Sequence, residues 1–301
     1  MPVTVSSNDA GWDIPKRYLR LTLYRGRNTV RTFNTLTEDM YVKFNTTDAV
    51  SGALTEANIV IGGMLVQNMF NVATSTTQWR KDWIQHRLVI EAGYYNHHSV
   101  IYDGIVVSAK PNLESANFTL SLKCITGFET ITEPRSYSFP GTVSVTMIAA
   151  KLANDHGLAF VNGITDAVPT ISDFTVTQQN LPAIMRTISN AVPVNMYVSG
   201  GRLYLQKQNE PIAGLPTLSI RSQDIIGSPE PTDTGCIVNV RMKPQGRTGC
   251  PVSLNSIRYP QMNTIHFFLD VMSHVGDTCG RDWYTRLVLT KQGLGFLKNA
   301  E

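Results

Sequence analysis

His274, Asp277 and Cys279 fall within six residues of one another in "SHVGDTCGRDW" (273–283). A cysteine nucleophile needs a base within hydrogen-bond reach, so this grouping raises the question of a thiol site with His274 as base. The same letters also suit the tip of a hairpin. If one strand runs to Gly276 and the next begins at Trp283, "GDTCGRD" is the connection, with glycines for unusual backbone angles and aspartates as common turn residues. The hairpin accounts for every residue in the stretch, whereas the thiol reading uses three.

Other groupings are weaker. Adjacent His97 and His98 in "NHHSV" point to opposite faces if they lie in a strand, and so cannot share an ion there. The acidic pairs Glu38/Asp39 and Glu129/Glu133 could be imagined as glycosidase carboxylates, but both sit in polar, turn-like surroundings and read as solvated loop charges. HExxH, the EF-hand loop, the P-loop, GxGxxG and GxSxG are all absent. Gly200-Gly201 in "YVSGGRLYL" lacks the following helix start that cradles phosphate. No catalytic residue, cofactor site or metal site is therefore assigned.

Composition narrows the class. Of 301 residues, 42% are hydrophobic and only 16% charged. About a quarter charged is usual for a soluble domain, so much of the surface is expected to face partners. The net charge of +3 is spread over isolated basic residues, which leaves no electrostatic footprint for nucleic-acid binding. No run approaches the roughly 20 apolar residues of a membrane helix, so no stable membrane association is expected. The first fifteen residues lack the basic start and apolar stretch of a secretory signal. Cys124, Cys236, Cys250 and Cys279 are too dispersed for a metal knuckle, and free thiols are expected, although Cys236 and Cys250 could meet if their strands pair.

The elements that would position these residues are mostly strands. Segments 17–24, 40–47, 57–63, 86–94, 99–111 and 116–125 are β-branched and aromatic, alternate with period two, and end at Gly, Asn, Asp or Pro. In the last of them Phe118, Leu120, Leu122 and Cys124 share one face, as in a half-buried antiparallel strand. Residues 62–83 suggest a short helix and a polar link. From 141 the period changes: Val145, Ile148, Ala149, Leu152 and Ala153 recur at helical spacing, Thr142 is placed to cap the start, and Gly157 to close the end. A second helix follows Pro182, then a hairpin hinged on Gly200-Gly201. A Pro- and Gly-rich connection at 209–235 leads back to strands at 236–244, 251–257, 265–276 and 283–290. "SVIYDGIVVSAKPNLESANFTLSLKCI" and "TIHFFLDVMSHVGDTCGRDWYTRLVLT" share one layout of strand, turn and strand, and "YVKFN…ANIVI" resembles "IVNVRM…PVSLN". Such a layout is what two related β-domains would leave behind.

This ordered set resembles the central baseplate hub proteins of contractile-tailed bacteriophages, the late control protein D family, whose fold recurs in the N-terminal part of type VI secretion spike proteins. The likeness is carried by "DIIGSPEPTDTGCIVNVRMKPQGRTGCPVSLNS" and by "FFLDVMSHVGDTCGRDWYTRLVLT", in which the family's hairpin signature falls on His274, Gly276, Asp277, Trp283 and Thr285. "YDGIVVSAKP" (102–111) and "ANDHGL" (153–158) agree more loosely. The resemblance implies a mainly β chain with a smaller α+β module and two tube-like antiparallel β-barrel domains. The expected division is an N-terminal arm (1–16), a first barrel (17–140), the α+β module (141–210) and a second barrel with its connecting segment (211–301). It further implies a structural, non-enzymatic homotrimer in the virion tail baseplate, made in the host bacterial cytoplasm. Three copies would form a pseudo-sixfold ring between a hexameric tail tube, or its initiator protein, and a trimeric central spike. Other baseplate proteins would be neighbours, and phage DNA transient cargo through the channel. A hexameric distal-tail or spike-proximal adaptor and a tail-associated cell-wall hydrolase using the acidic residues or the His274/Cys279 pair are the alternatives.

Overall fold

A computed structural model describes residues 16–25, 28–34, 41–50, 54–75, 86–114, 117–127, 133–243 and 245–293. The expected N-terminal arm, the Glu38/Asp39 pair and Glu129 lie outside these residues. The strands are β1 (Arg17–Arg25), β2 (Asn28–Asn34), β3 (Val42–Ala49), β4 (Glu56–Gly62), β5 (His86–Tyr94), β6 (His97–Asn112), β7 (Thr119–Ile125), β8 (Arg135–Ser144), β9 (Ala159–Asn162), β10 (Thr170–Gln179), β11 (Val194–Ser199), β12 (Arg202–Lys207), β13 (Leu218–Arg221), β14 (Glu230–Pro231), β15 (Gly235–Arg241), β16 (Pro251–Asn255), β17 (Phe267–Asp277) and β18 (Trp283–Lys291). The helices are α1 (Val66–Ser75), α2 (Val145–Asp155) and α3 (Leu181–Ala191).

The chain is mainly β, as expected. Thirteen strands join in one sheet whose main path runs β14-β15-β18-β17-β3-β4-β7-β6-β5-β1-β2, with β16 and β13 branching from β17. The expectation of two closed barrels meets a different hydrogen-bonding pattern, because among the described residues the path stays open. Its cause is the C-terminal part of β17, Val271 to Asp277, which pairs with β3 and carries the sheet from one half into the other.

The two halves repeat one order. β3-β4-β7-β6-β5 and β14-β15-β18-β17-β16 are each antiparallel throughout. The registers correspond as well. Val106, Cys124, Ala57 and Thr46 form one cross-strand row, and Leu269, Leu289, Cys236 and Pro231 form the equivalent one. Immediately after Val106 and Leu269 each row meets a register shift. The repeat visible in the sequence pairs β6–β7 with β17–β18, in agreement. Its second pairing is displaced by one strand, since β4 corresponds to β15 and β5 to β16.

Alternation produces separate cores. Leu19, Leu21 and Leu23 of β1, Leu88 and Ile90 of β5, and Met69 of α1 are buried in the first half. Val238, Leu269, Leu287 and Leu289 form the second. Between them in sequence, α2 and α3 pack with strands of two small sheets, β10-β8 and β11-β12-β9, over Ile148, Leu152, Ile184, Ile188, Val198 and Leu203. Ser144, not Thr142, caps α2 by accepting the Met147 N–H, because β8 runs on to Ser144 and the helix begins only at Val145; Gly157 turns left-handed after the helix, as its position suggested. Phe118 precedes β7 and is exposed, while Leu120, Leu122 and Cys124 are buried as the alternation requires.

Candidate functional site

The β17–β18 hairpin places the opening residues. His274 lies opposite Thr285 and Gly276 opposite Trp283, so alternation turns His274 inward while the turn carries Cys279 out to solvent. His274 is 2% exposed, and its Nδ1 lies 2.9 Å from the Thr285 hydroxyl, which also accepts the Lys243 backbone N–H at 3.0 Å. Burial pulls the imidazole down to about 4, so it is neutral at pH 7. A buried, neutral histidine bonded to threonine is no base for Cys279, whose thiol neighbour is the Thr278 hydroxyl at 3.8 Å.

Asp277 shapes the turn. Its Oδ1 accepts the N–H groups of Cys279 (3.0 Å) and Gly280 (2.7 Å). Arg17, distant in sequence, grips the same turn by donating to the carbonyls of Asp277 (3.0 Å), Gly280 (2.7 Å) and Arg281 (3.1 Å). Its guanidinium also lies 5.5 Å from the Trp283 ring centre. Trp283 is buried, meets Phe44 edge-on at 5.7 Å, and donates its indole N–H to the Gly93 carbonyl at 3.0 Å. A side chain at Gly276 would overlap the Phe44 ring. All five hairpin residues thus have structural partners, drawn from β1, β3, β5 and the segment after β15.

The other candidates stay apart. His98 stacks on Tyr18 with ring centres 3.8 Å apart and bonds Glu91 through Nδ1 at 2.7 Å, a local arrangement that does not include His97. Glu133 pairs with Arg135 at 3.2 Å. Among the described residues no group of three His, Cys, Asp or Glu side chains is placed to hold a metal ion. All four cysteines are free thiols, and Cys124, Cys236 and Cys250 are buried.

Two features carry no signal in the sequence. Asp48 on β3 accepts hydroxyls from Thr55 (3.1 Å), Ser199 (2.9 Å) and Thr248 (3.1 Å). This one carboxylate therefore ties the first half to β11 and to the loop before β16. It is only half-buried by exposure, yet burial raises its carboxyl above the usual range, against the lowering pull of the three hydroxyls. Beside this clasp, the Tyr197 hydroxyl donates to the Thr248 carbonyl at 2.9 Å. The second feature is a cleft of about 1170 Å³ lined by Arg221, Arg241, Lys243 and Arg247 with Asp224. Lys243 and Arg221 both pair with Asp224, whose single negative charge offsets one of the four positive side chains. These arrangements hold parts together, and none sets a nucleophile against a base.

A model of the baseplate hub gp41 family matches residues 19–276. No curated protein matches the chain. Among solved structures, it is similar to a tail protein from Neisseria meningitidis MC58, with 13% identity and a TM-score of 0.59 over 91% of this chain and 97% of that one. It is also similar to the 43 kDa tail protein of prophage MuSo2 from Shewanella oneidensis, with 11% identity, a TM-score of 0.57, and 90% and 98% of the two chains covered. A third is an E. coli component of the type VI secretion system, described as structurally similar to the T4 bacteriophage tail proteins gp27 and gp5. That match has 8% identity and a TM-score of 0.56, covering 86% of this chain and 76% of that one. At these identities the likeness is one of fold.

Proposed function

Since this chain belongs to the baseplate hub gp41 family, we propose that three copies close into a ring of six tube-like halves, joining a sixfold tail tube to a threefold central spike. The family itself gives the chain a structural place in the phage tail, at the baseplate. In this reading residues 17–140 and 211–301 are the tube-like halves, 141–210 the α+β module, and 1–16 an arm. The His274, Gly276, Asp277, Trp283 and Thr285 hairpin is the structural spine of the second half.

One observation carries the proposal: the equivalent rows Val106–Cys124–Ala57–Thr46 and Leu269–Leu289–Cys236–Pro231, set in the same five-strand order. A chain with two copies of one strand plan presents two similar units per subunit, so a threefold assembly offers six. Closed rings need such heterologous contacts. The tube or its initiator protein, the spike and other baseplate proteins are the partners in this reading, with phage DNA as passing cargo.

Light scattering on the purified chain tests it. The expected mass is about 100 kDa, three times the chain's 33.3 kDa. A particle of twice that mass would point to a hexameric adaptor instead. A chain monomeric both alone and with its neighbouring tail proteins would end the ring reading.

A further inference from the structure

The duplicated strand plan also identifies an interface, and we propose that the free edge of β6 in one copy meets the β14 edge of the next. This inference rests on the ring reading and adds the residues of its contact.

Within the chain the two halves meet where the C-terminal part of β17 pairs with β3. In the repeated plan the equivalent of β17 is β6, and that of β3 is β14. The pairing of β5 with β6 ends at Ile105, and β14 pairs with β15. Among the described residues no strand lies along β6 beyond Ile105 on that side, or along the outer side of β14. Among the described residues one junction between halves is therefore formed, and the two sides of its counterpart have no paired strand.

The register follows from the shared shift. Val271 corresponds to Ser108, hence His274 to Pro111 and Val275 to Asn112; Thr46 corresponds to Pro231 and Asn45 to Glu230. Within the chain His274 lies opposite Thr46 and Val275 opposite Asn45. Between copies Pro111 then lies opposite Pro231, Asn112 opposite Glu230, and Lys110 opposite Thr232. Exposure fits a junction formed in one place and open in the other: His274 and Thr46 are each 2% exposed, whereas Pro231 is exposed and Pro111 half-buried. Lys110 and Glu230, both exposed, become diagonal neighbours of opposite charge on one face.

The prolines define the character of this contact. Val50 donates to Asp270 and Thr278 to Val42, so by alternation Thr46 also turns its backbone toward β17. Thr232 and Gly235 exchange both bonds, so Pro231 turns outward. The Pro111–Pro231 rung therefore occupies a bonded position where neither residue has an N–H to donate. The contact between copies is accordingly apolar and side-chain based at that rung, and the same prolines hinder a stray strand from adding to either edge.

Paired cysteines test the register. Asn112 and Glu230 fall on a non-bonded rung, where Cα atoms lie about 4.5 Å apart, within disulfide reach. In the full chain carrying Cys279→Ser, Asn112→Cys with Glu230→Cys should give, on oxidation, denaturing-gel bands of one, two and three chains, ending at three. Each single substitution should remain one chain. A trimer by light scattering that yields no disulfide would overturn this interface while leaving the ring intact. A monomer by light scattering without disulfide would overturn both. Bands continuing past three chains, or equal disulfide yield from the single substitutions, would overturn the closed contact between unlike edges.

Discussion

His274 and Thr285 face each other across β17 and β18 with 2.9 Å between Nδ1 and Oγ1, and Thr46 of β3 lies on the other side of His274. The histidine is thus enclosed at the seam where the second half passes into the first. Its chemistry is that of a neutral hydrogen-bonding group, and protonation would place a charge in that seam.

Acid should therefore weaken the fold through this residue. The imidazole is lowered to about 4 in the folded chain, against its ordinary value of 6.5. The unfolded chain takes up the proton first, so the contribution is full above about pH 6.5 and is lost as pH falls toward 4, on the order of 3 kcal/mol. Asp48 and Asp270, both raised by burial, act in the opposite sense: the stability they add is complete below the unfolded carboxylate value and declines as pH rises through their folded values. Urea unfolding of the wild type and of His274→Gln between pH 7 and 4 separates these effects. The variant should show a flatter loss on acidification, and an unchanged slope would remove His274 as its source.

Trp283→Ala should destabilise the chain by about 3–5 kcal/mol, the usual cost of emptying a buried aromatic site. Trp283→Phe should keep much of the Phe44 contact but leave the Gly93 carbonyl without its indole donor, costing about 1–3 kcal/mol. Denaturant midpoints for both variants provide the check. Equal losses would mean that the hydrogen bond, rather than the ring volume, dominates the site.

The strands that form long antiparallel ladders were legible because one face of each is buried: β5 spans His86–Tyr94, as the alternation predicts. β8 and β10 escaped the sequence pattern. Among the described residues they pair only with each other, and two register shifts, with Asp173 and Gln178 at positive φ, break the period in β10. The turn was readable from Asp277 and Gly280, but Gly276 lies within β17 opposite Trp283, and neither glycine has the positive φ expected of it; Gly276 is needed because a side chain there would meet Phe44. The supports of the hairpin were not readable, because Arg17 and Phe44 come from the other end of the chain and no local spacing announces them. Asp48 was equally silent: Ser199 and Thr248 lie 151 and 200 residues away.

Gly276→Ala should be costly although alanine is the smallest addition. The new Cβ would overlap Phe44 and approach Trp283 to 2.9 Å, in a place closed by three strands. Overpacking of this kind costs about 1–3 kcal/mol. Combining it with Phe44→Leu should recover part of the loss, giving a favourable coupling in a double-mutant cycle. Additive losses would show that the strain lies elsewhere.

Asp48→Asn should loosen the tie between the first half and the α+β module. The carboxylate accepts Thr55 on one oxygen and both Ser199 and Thr248 on the other, whereas an amide has a single acceptor oxygen. Either Thr55, which is 8% exposed, or the Ser199–Thr248 pair then loses its acceptor. An unsatisfied buried hydroxyl costs about 1–3 kcal/mol, offset in part by removal of a carboxylate that burial disfavours. The module keeps its own core of Ile148, Leu152, Ile184 and Ile188, so the loss should appear as reduced cooperativity rather than collapse. Hydrogen exchange should accelerate most in β3 and β11, with α2 and α3 little changed. Uniform acceleration across all elements would show that Asp48 supports the fold as a whole and does not act as a clasp between its parts.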